Sequence, residues 1–248
     1  AGRLPEPEHI AEYIEYAVMR TDCLKGKKVI VTAGGTREAI DPVRYIGNHS
    51  SGRMGFAIAR AAAFAGADVT LVAGQVNLPT PSAVKRVDVL TTNEMKAAVD
   101  ALYDDCDIVI KAAAVADYRA AEPSPQKIKK NDDVLTLDMV KNPDILLALG
   151  QRKKNQILVG FAAETTNVSA GPSGAGPPPP WLKKKNLDML VANDVTAEGA
   201  GFKGTTNIAT FLYADGTSEP LALMSKDALA AEIIKRVASI CEKKRQRE

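Results

Sequence analysis

The run Asn48-His49-Ser50-Ser51-Gly52-Arg53-Met54-Gly55 places a carboxamide, two hydroxyls and two glycines ahead of an apolar helix pattern through Phe56, Ile58, Ala59, Ala62 and Ala63. Helix N-termini carry unpaired N–H groups and partial positive charge. Glycine there lets the main chain come close to a phosphate. Ser50, Ser51 and Gly52 are therefore read as an anion cradle, with Asn48 as an uncharged amide just ahead of it. Gly34 and Gly35 turn the chain out of the preceding strand pattern toward this point, although a glycine pair also suits a plain tight turn. The insert that follows carries Thr36, Arg37, Asp41 and Arg44, polarity that packing alone does not need. The run is not G-x-G-x-x-G, and no G-K-[ST] Walker loop occurs.

A second constellation is Ala112-Ala113-Ala114-Val115-Ala116-Asp117-Tyr118. It begins on a buried strand pattern and ends in a carboxylate. Ligands of open α/β sheets sit beyond the carboxyl ends of the strands. Small residues there leave room for a flat ring, whose edge the main chain could read with help from Asp117. An ordinary strand end with a capping Asp fits the same pattern. Two lysine runs follow, Lys127-Ile128-Lys129-Lys130 and Lys183-Lys184-Lys185. Each alone reads as a solvated face; together they supply cations for a polyphosphate and its leaving group. His49 beside Ser50 lacks an orienting acid, so it makes no triad.

These residues require a frame that delivers them to one edge. Continuous apolar runs at Lys28–Ala33, Asp68–Val72, Asp107–Ala112 and Ile157–Phe161 alternate with helix patterns at Met54–Ala65, Asn93–Tyr103 and Pro143–Gln151. Strands apolar on both faces, separated by helices, predict an α/β Rossmann-like, doubly wound, mostly parallel sheet. Asp188–Ala192 reads as another buried strand. Thr206–Tyr213 alternates, and Asp215-Gly216 before Ser218–Leu223 signals an appended hairpin, placed to extend the sheet or meet a partner subunit. Ser225 caps a terminal helix, Lys226–Cys241, ahead of a basic tail read as solvated at 244–248. Residues 1–26 read as a lead-in with a short helix from His9 to Met19, and 27–243 as the main body.

Composition narrows the function classes. The chain has 248 residues, 46% of them hydrophobic, and a net charge of +2 with both signs intermixed. That argues against general nucleic-acid binding. No apolar run reaches the ~20 residues of a membrane helix. Three scattered cysteines and two histidines form no zinc pattern, and reduced thiols predict a cytoplasmic location.

The motifs Thr32-Ala33-Gly34-Gly35-Thr36-Arg37-Glu38, Asp41 to Ile46, Asn48 to Gly52, Ala113 to Arg119, Lys127 to Lys130, Lys141 to Ile145 and Gly160 to Thr165, in this order, resemble the bacterial phosphopantothenoylcysteine synthetases over roughly residues 25 to 240. The resemblance implies a ligase of coenzyme A biosynthesis. In that reaction CTP, assisted by Mg²⁺, converts the carboxylate of 4′-phosphopantothenate into an acyl-cytidylate, and cysteine then displaces CMP. It implies a homodimer, with a dimerisation extension at about 188–223. It also implies a fusion in which this is the C-terminal half. The other half would be a decarboxylase that holds FMN, assembled into a larger oligomer, with residues 1–26 as the linker.

By the same resemblance Asn48, Arg44 and Lys127 are catalytic: Asn48 holds the acyl-cytidylate, Arg44 assists substrate or intermediate binding, and Lys127 is a flap lysine. Ala113 and Asp117 read cytosine, while Pro143, Asp144, Ile145, Leu146 and Phe161 contact the nucleotide. Lys185 binds the triphosphate, and the cradle of Gly34, Gly35, Ser50, Ser51 and Gly52 takes phosphate. Metal ligands do not follow from it. The family's pattern departs at Ser169 to Trp181, where a Gly/Pro stretch stands in place of an amphipathic helix. Two other readings stay open. An NAD(P)-dependent short-chain oxidoreductase would need a Tyr-x-x-x-Lys pair near the strand ends, and none is found; a non-catalytic nucleotide-binding module would release no pyrophosphate.

Overall fold

The computed structural model describes residues 4, 6–129, 134–164, 180–194 and 204–246. Lys130 and most of the Gly/Pro stretch lie outside the described residues. In chain order the elements are α1 (Pro7–Met19), β1 (Lys28–Ala33), β2 (Arg37–Ala39), β3 (Tyr45–Gly47), α2 (Arg53–Phe64), β4 (Asp68–Ala73), β5 (Val84–Asp88), α3 (Thr92–Tyr103), β6 (Ile108–Lys111) and β7 (Tyr118–Ala120). They continue as β8 (Met139–Lys141), α4 (Ile145–Gln151), β9 (Ile157–Glu164), α5 (Pro180–Lys184), β10 (Met189–Asp194), β11 (Thr206–Asn207), β12 (Ala209–Tyr213), β13 (Ser218–Pro220), β14 (Met224–Ser225) and α6 (Lys226–Arg245).

The apolar runs do become the centre of an eight-stranded sheet, ordered β13-β12-β10-β9-β6-β1-β4-β5. From β5 to β10 the strands are parallel, and β12 and β13 add antiparallel. The chain winds outward from β1 through β4 and β5, then restarts at β6 and winds the other way. The switch point therefore lies between β1 and β6, where a crevice opens at the carboxyl edge. One face of the sheet packs on α2 and α6, and the other on α3, α4 and α5. Ile58, Leu71, Ile108 and Leu158 are fully buried between these layers. Each such side chain contributes about 1.5–3 kcal/mol.

Helix α2 packs directly on β1 because Gly55 lacks a side chain: a Cβ there would stand 2.5 Å from the Ala33 Cβ. This fixes the height of the α2 N-terminus over the sheet. The lead-in helix α1 docks outside α2, with Tyr16 against Phe64 at 5.6 Å and the Glu12 carboxylate accepting from Ser82.

Several expectations needed revision. The stretch 206–213 is not one strand. It breaks at Ile208, so that β11 pairs with β14 while β12 pairs with β10 and β13. The Asp215-Gly216 turn is as expected, with Gly216 at φ 89° and Asp215 accepting from Thr217. The basic tail is not simply solvated: α6 continues to Arg245, and Lys244 reaches Asp188 at 2.9 Å. Its last turn carries Lys243, Lys244 and Arg245, cations that complement the helix dipole. No helix among the described residues is long and apolar enough to cross a membrane.

A cavity at the switch point

The first crossover builds one wall. Beyond Ala33 the chain passes Gly34 at φ 77°, and Gly35 bridges to Ala114 alongside it. A Cβ on Gly35 would lie 3.0 Å from the Asn48 carbonyl, so glycine permits the Asn48 segment to lie flat on this turn. These two glycines stand beneath the cavity and not in its lining. The hairpin β2–β3 then carries the chain out and back to Asn48. Ser50 Oγ accepts from Gly52 N at 3.3 Å, and Gly52, at φ 76°, starts α2 without a side-chain cap. Arg53, Met54 and Gly55, whose N–H groups have no partner within the helix at its first turn, line the cavity.

The second wall is the main chain after β6. A buried polar scaffold fixes it. Thr32 Oγ1 accepts from Ala113 N at 3.2 Å, and Thr36 Oγ1 accepts from Ala116 N at 3.0 Å. Thr36 meets Thr92 at 3.2 Å. Thr92 donates through N and Oγ1 to the buried Glu38 carboxylate, while Asn142 donates to Ala116 O at 2.9 Å. Sequence reading missed this scaffold, because buried Thr and Glu leave no periodic trace. Every residue from Ala112 to Val115, and Asp117, lines the cavity.

Asn48 spans the two walls. Its Nδ2 donates to Ala114 O and to Val115 O, each at 3.2 Å. In this arrangement the amide hydrogens are engaged by backbone, and a ligand must take one over to use Asn48 as a donor. The cavity holds about 530 Å³, and Lys111, Phe161, Ala162, Asn193, Asn207 and Lys226 complete its lining. Among the described residues, Asn193 Oδ1 is buried and finds no hydrogen-bond partner. Lys226, itself buried, donates to Gly204 O at 2.6 Å. Lys111, Asn193, Asn207 and Lys226 were not among the site residues the sequence suggested. The first two end buried strands at the carboxyl edge, a signal that could have found them; the others arrive only through the topology.

Not all expected residues reach the cavity. Arg44 donates to Asp41 Oδ2 from Nε at 2.9 Å and from Nη2 at 2.5 Å, and reaches Ile128 O at 3.1 Å. Asp41 also accepts from the N–H groups of Val43, Arg44 and Ile128. The Arg44 hydrogen bonds, with those N–H groups, hold the Asp41 carboxyl well below the usual carboxylate range against the opposing effect of burial. Arg44 thus clips down the connection that carries the exposed Lys127. Asp144 caps α4 by accepting from Leu147 N at 3.0 Å and pairs with Lys185 at 2.9 Å. Burial would raise the Asp144 carboxyl, yet Lys185 and the Leu147 N–H hold it low. Ile145 and Leu146 are buried in the core below. Among the described residues no group of three His, Cys, Asp or Glu is placed to hold a metal. A Mg²⁺ carried by phosphate oxygens and water requires no such group.

Residues 24–240 match the model of the DNA/pantothenate metabolism flavoprotein C-terminal domain. The chain is 44% identical over 249 residues to the coenzyme A biosynthesis bifunctional protein CoaBC of Bacillus subtilis, which covers 99% of this chain and 60% of the relative. It is 45% identical over 250 residues to the protein of the same name in Escherichia coli K12, with the same two coverages. This chain thus spans about 60% of the length of these relatives. Among solved structures, the crystal structure of the C-terminal domain of CoaBC superposes with a TM-score of 0.74 at 39% identity, covering 90% of this chain and all of that one.

Proposed function

Because the chain belongs to the family of the DNA/pantothenate metabolism flavoprotein C-terminal domain, we propose that it is a ligase of coenzyme A biosynthesis that joins 4′-phosphopantothenate to L-cysteine, with CTP as activator. A carboxylate oxygen of the acid attacks the α-phosphorus of CTP, and pyrophosphate leaves. The cysteine amine then attacks the acyl carbon of the acyl-cytidylate, and CMP departs as the amide forms. Neither step needs a nucleophile from the protein. Both need positioning and stabilisation of charge on oxygen.

The observation that carries this reading is convergence. An uncapped helix N-terminus, a carboxamide and a small-residue main-chain edge line a single cavity at the switch point of the sheet. In the proposal the α2 end takes phosphate, and the main chain of 112–115 with Asp117 reads the base. Asn48 releases one of its 3.2 Å bonds to hold the mixed anhydride. Lys127 closes from a connection that Arg44 and Asp41 keep in register, so Arg44 is a positioning residue. Asp144, Pro143 and the buried Ile145 and Leu146 shape the α4 end, where Lys185 stands beside the polyphosphate. Mg²⁺ bound with the triphosphate offsets its charge.

A second copy of the chain fits the exposed apolar side chains Val43, Tyr45, Tyr118, Leu135, Met139 and Val140. They gather on and beside the neighbouring hairpins β2–β3 and β7–β8, whereas the β12–β13 hairpin exposes few. The proposed homodimer therefore uses the former as well as any contact from 188–223.

Pyrophosphate release, measured with each nucleoside triphosphate, with and without 4′-phosphopantothenate and cysteine, tests the reading. Release that requires CTP and the acid supports it. Binding of CTP without release points to a non-catalytic nucleotide module. Tight NADPH binding with no CTP binding points to an oxidoreductase.

A further inference from the structure

Lys111 is the last residue of β6, and its register neighbours are Thr32 on β1 and Gly160 on β9. Paired residues of adjacent strands point to the same face of a sheet. A Cβ on Gly160 would meet Leu146 and Leu187, so that face is the α4–α5 side. The Lys111 stem leaves the core there, and Lys111 is among the residues that line the cavity. The Lys111 ammonium donates a long hydrogen bond to Ala113 O at 3.5 Å. The charged groups that face it are Lys185, just after α5, Asp144 at the cap of α4, and Asp117 on the loop beyond β6. Asp144 is already paired with Lys185 at 2.9 Å. Lys111, at the cavity lining, thus has no ion pair of its own among the described residues, and the nearby Asp144 carboxylate is engaged by Lys185.

We infer that Lys111 is a direct phosphate ligand of the nucleotide. It clamps the polyphosphate with Lys185, and Asp144 is the internal anion that holds Lys185 in place until the nucleotide arrives. The inference rests on the nucleotide reading above and adds a residue to it. It also has a protonic signature. Burial first, and Lys185 second, lower the Lys111 ammonium to about 8, with Asp144 and Asp117 opposing. An approaching polyanion favours the charged form. Nucleotide binding near pH 8 must then take up roughly half a proton, and progressively less as the pH falls toward 6.5, where the amine is already charged.

The test is calorimetric titration of CTP into wild type, Lys111→Met and Lys111→Arg at pH 8. Each is run in two buffers of different ionisation enthalpy, so that proton uptake is read separately from affinity. Loss of one charge-assisted hydrogen bond weakens CTP about 10- to 100-fold in Lys111→Met and abolishes the uptake. Arginine stays charged, so Lys111→Arg also loses the uptake but binds within several-fold of wild type. Wild-type affinity and wild-type uptake in Lys111→Met overturn the assignment. Should that variant fail to fold, persistence of the uptake in Lys111→Arg overturns it instead. If wild type binds no nucleoside triphosphate, the nucleotide reading itself falls, and the Lys111 assignment with it.

Discussion

At the amino edge of the sheet, charge is paired; at the carboxyl edge, polar groups are left waiting. Asp107 accepts from Lys27 at 2.9 Å and from Lys28 N at 2.8 Å. Asp188 binds Lys153 at 2.7 Å, Lys244 at 2.9 Å and Leu158 N at 2.8 Å. These carboxylates cap strand starts and tie α6 to the sheet. At the other edge, among the described residues, α2 begins without a side-chain cap, Asn193 Oδ1 has no partner, and the hydrogen bond of Lys111 is a long one to a carbonyl. A fold keeps buried polar groups unsatisfied only where something else completes them. On the proposed reading the amino edge stabilises the sheet and the carboxyl edge binds the substrates.

Mutations at the two edges should therefore separate activity from stability. The largest effect is expected for Asn48→Asp. It replaces the donor to Ala114 O and Val115 O with an anion beside two carbonyls. We expect turnover, followed by pyrophosphate release, to fall about 10²–10³-fold, with thermal unfolding little changed because Asn48 is exposed. Wild-type turnover would remove Asn48 from the chemistry. Asp188→Ala should do the reverse. Lys153, whose side chain is 7% exposed, loses its partner along with Leu158 N–H. A loss of about 2–4 kcal/mol in urea unfolding is expected, with kcat per folded molecule intact. A stable protein with damaged kcat would erase the contrast between the edges.

Arg44→Ala lies between these extremes. It frees Ile128 O and unclips the Lys127 connection, so KM for CTP should rise roughly 5- to 30-fold, more than kcat falls. Equal loss in both parameters would mean that Arg44 acts in the chemical step itself. The smallest effect concerns acid. Burial would raise the Asp107 carboxyl, but the Lys27 and Lys28 hydrogen bonds prevail and hold it below its ordinary value. A depressed carboxyl stabilises above its unfolded value of about 4, and that stability is lost as pH falls through the lower folded value. Urea midpoints of Asp107→Asn between pH 6 and pH 2.5 should fall less steeply at the acid end than those of wild type. Parallel acid limbs would contradict this.

What the sequence made legible follows from the same contrast. Val29 to Ala33 and Ile108 to Ile110 are buried on both faces, so the parallel sheet was written as apolar runs. Glycines and small residues at Gly52 and Ala112–Ala114 announced the cavity because main chain does the work there. Strand β5 escaped notice because Val84–Asp88 mixes charges into an exposed edge, and β2, β3, β7 and β8 because each has only three residues. Lys111 looked like the polar end of an apolar strand, and Asn207 and Lys226 lie far along the chain from the residues they join. Nothing local marks a side chain whose meaning comes from topology.

The most direct test of the central claim is a crystal structure with CTP and 4′-phosphopantothenate bound. The account predicts the base against Ala112–Val115 and Asp117, phosphate oxygens at the α2 end and near Lys111 and Lys185, and Asn48 Nδ2 turned from Ala114 O toward the reacting oxygens. A nucleotide seated elsewhere, with Asn48 still bound to Ala114 and Val115, would contradict it.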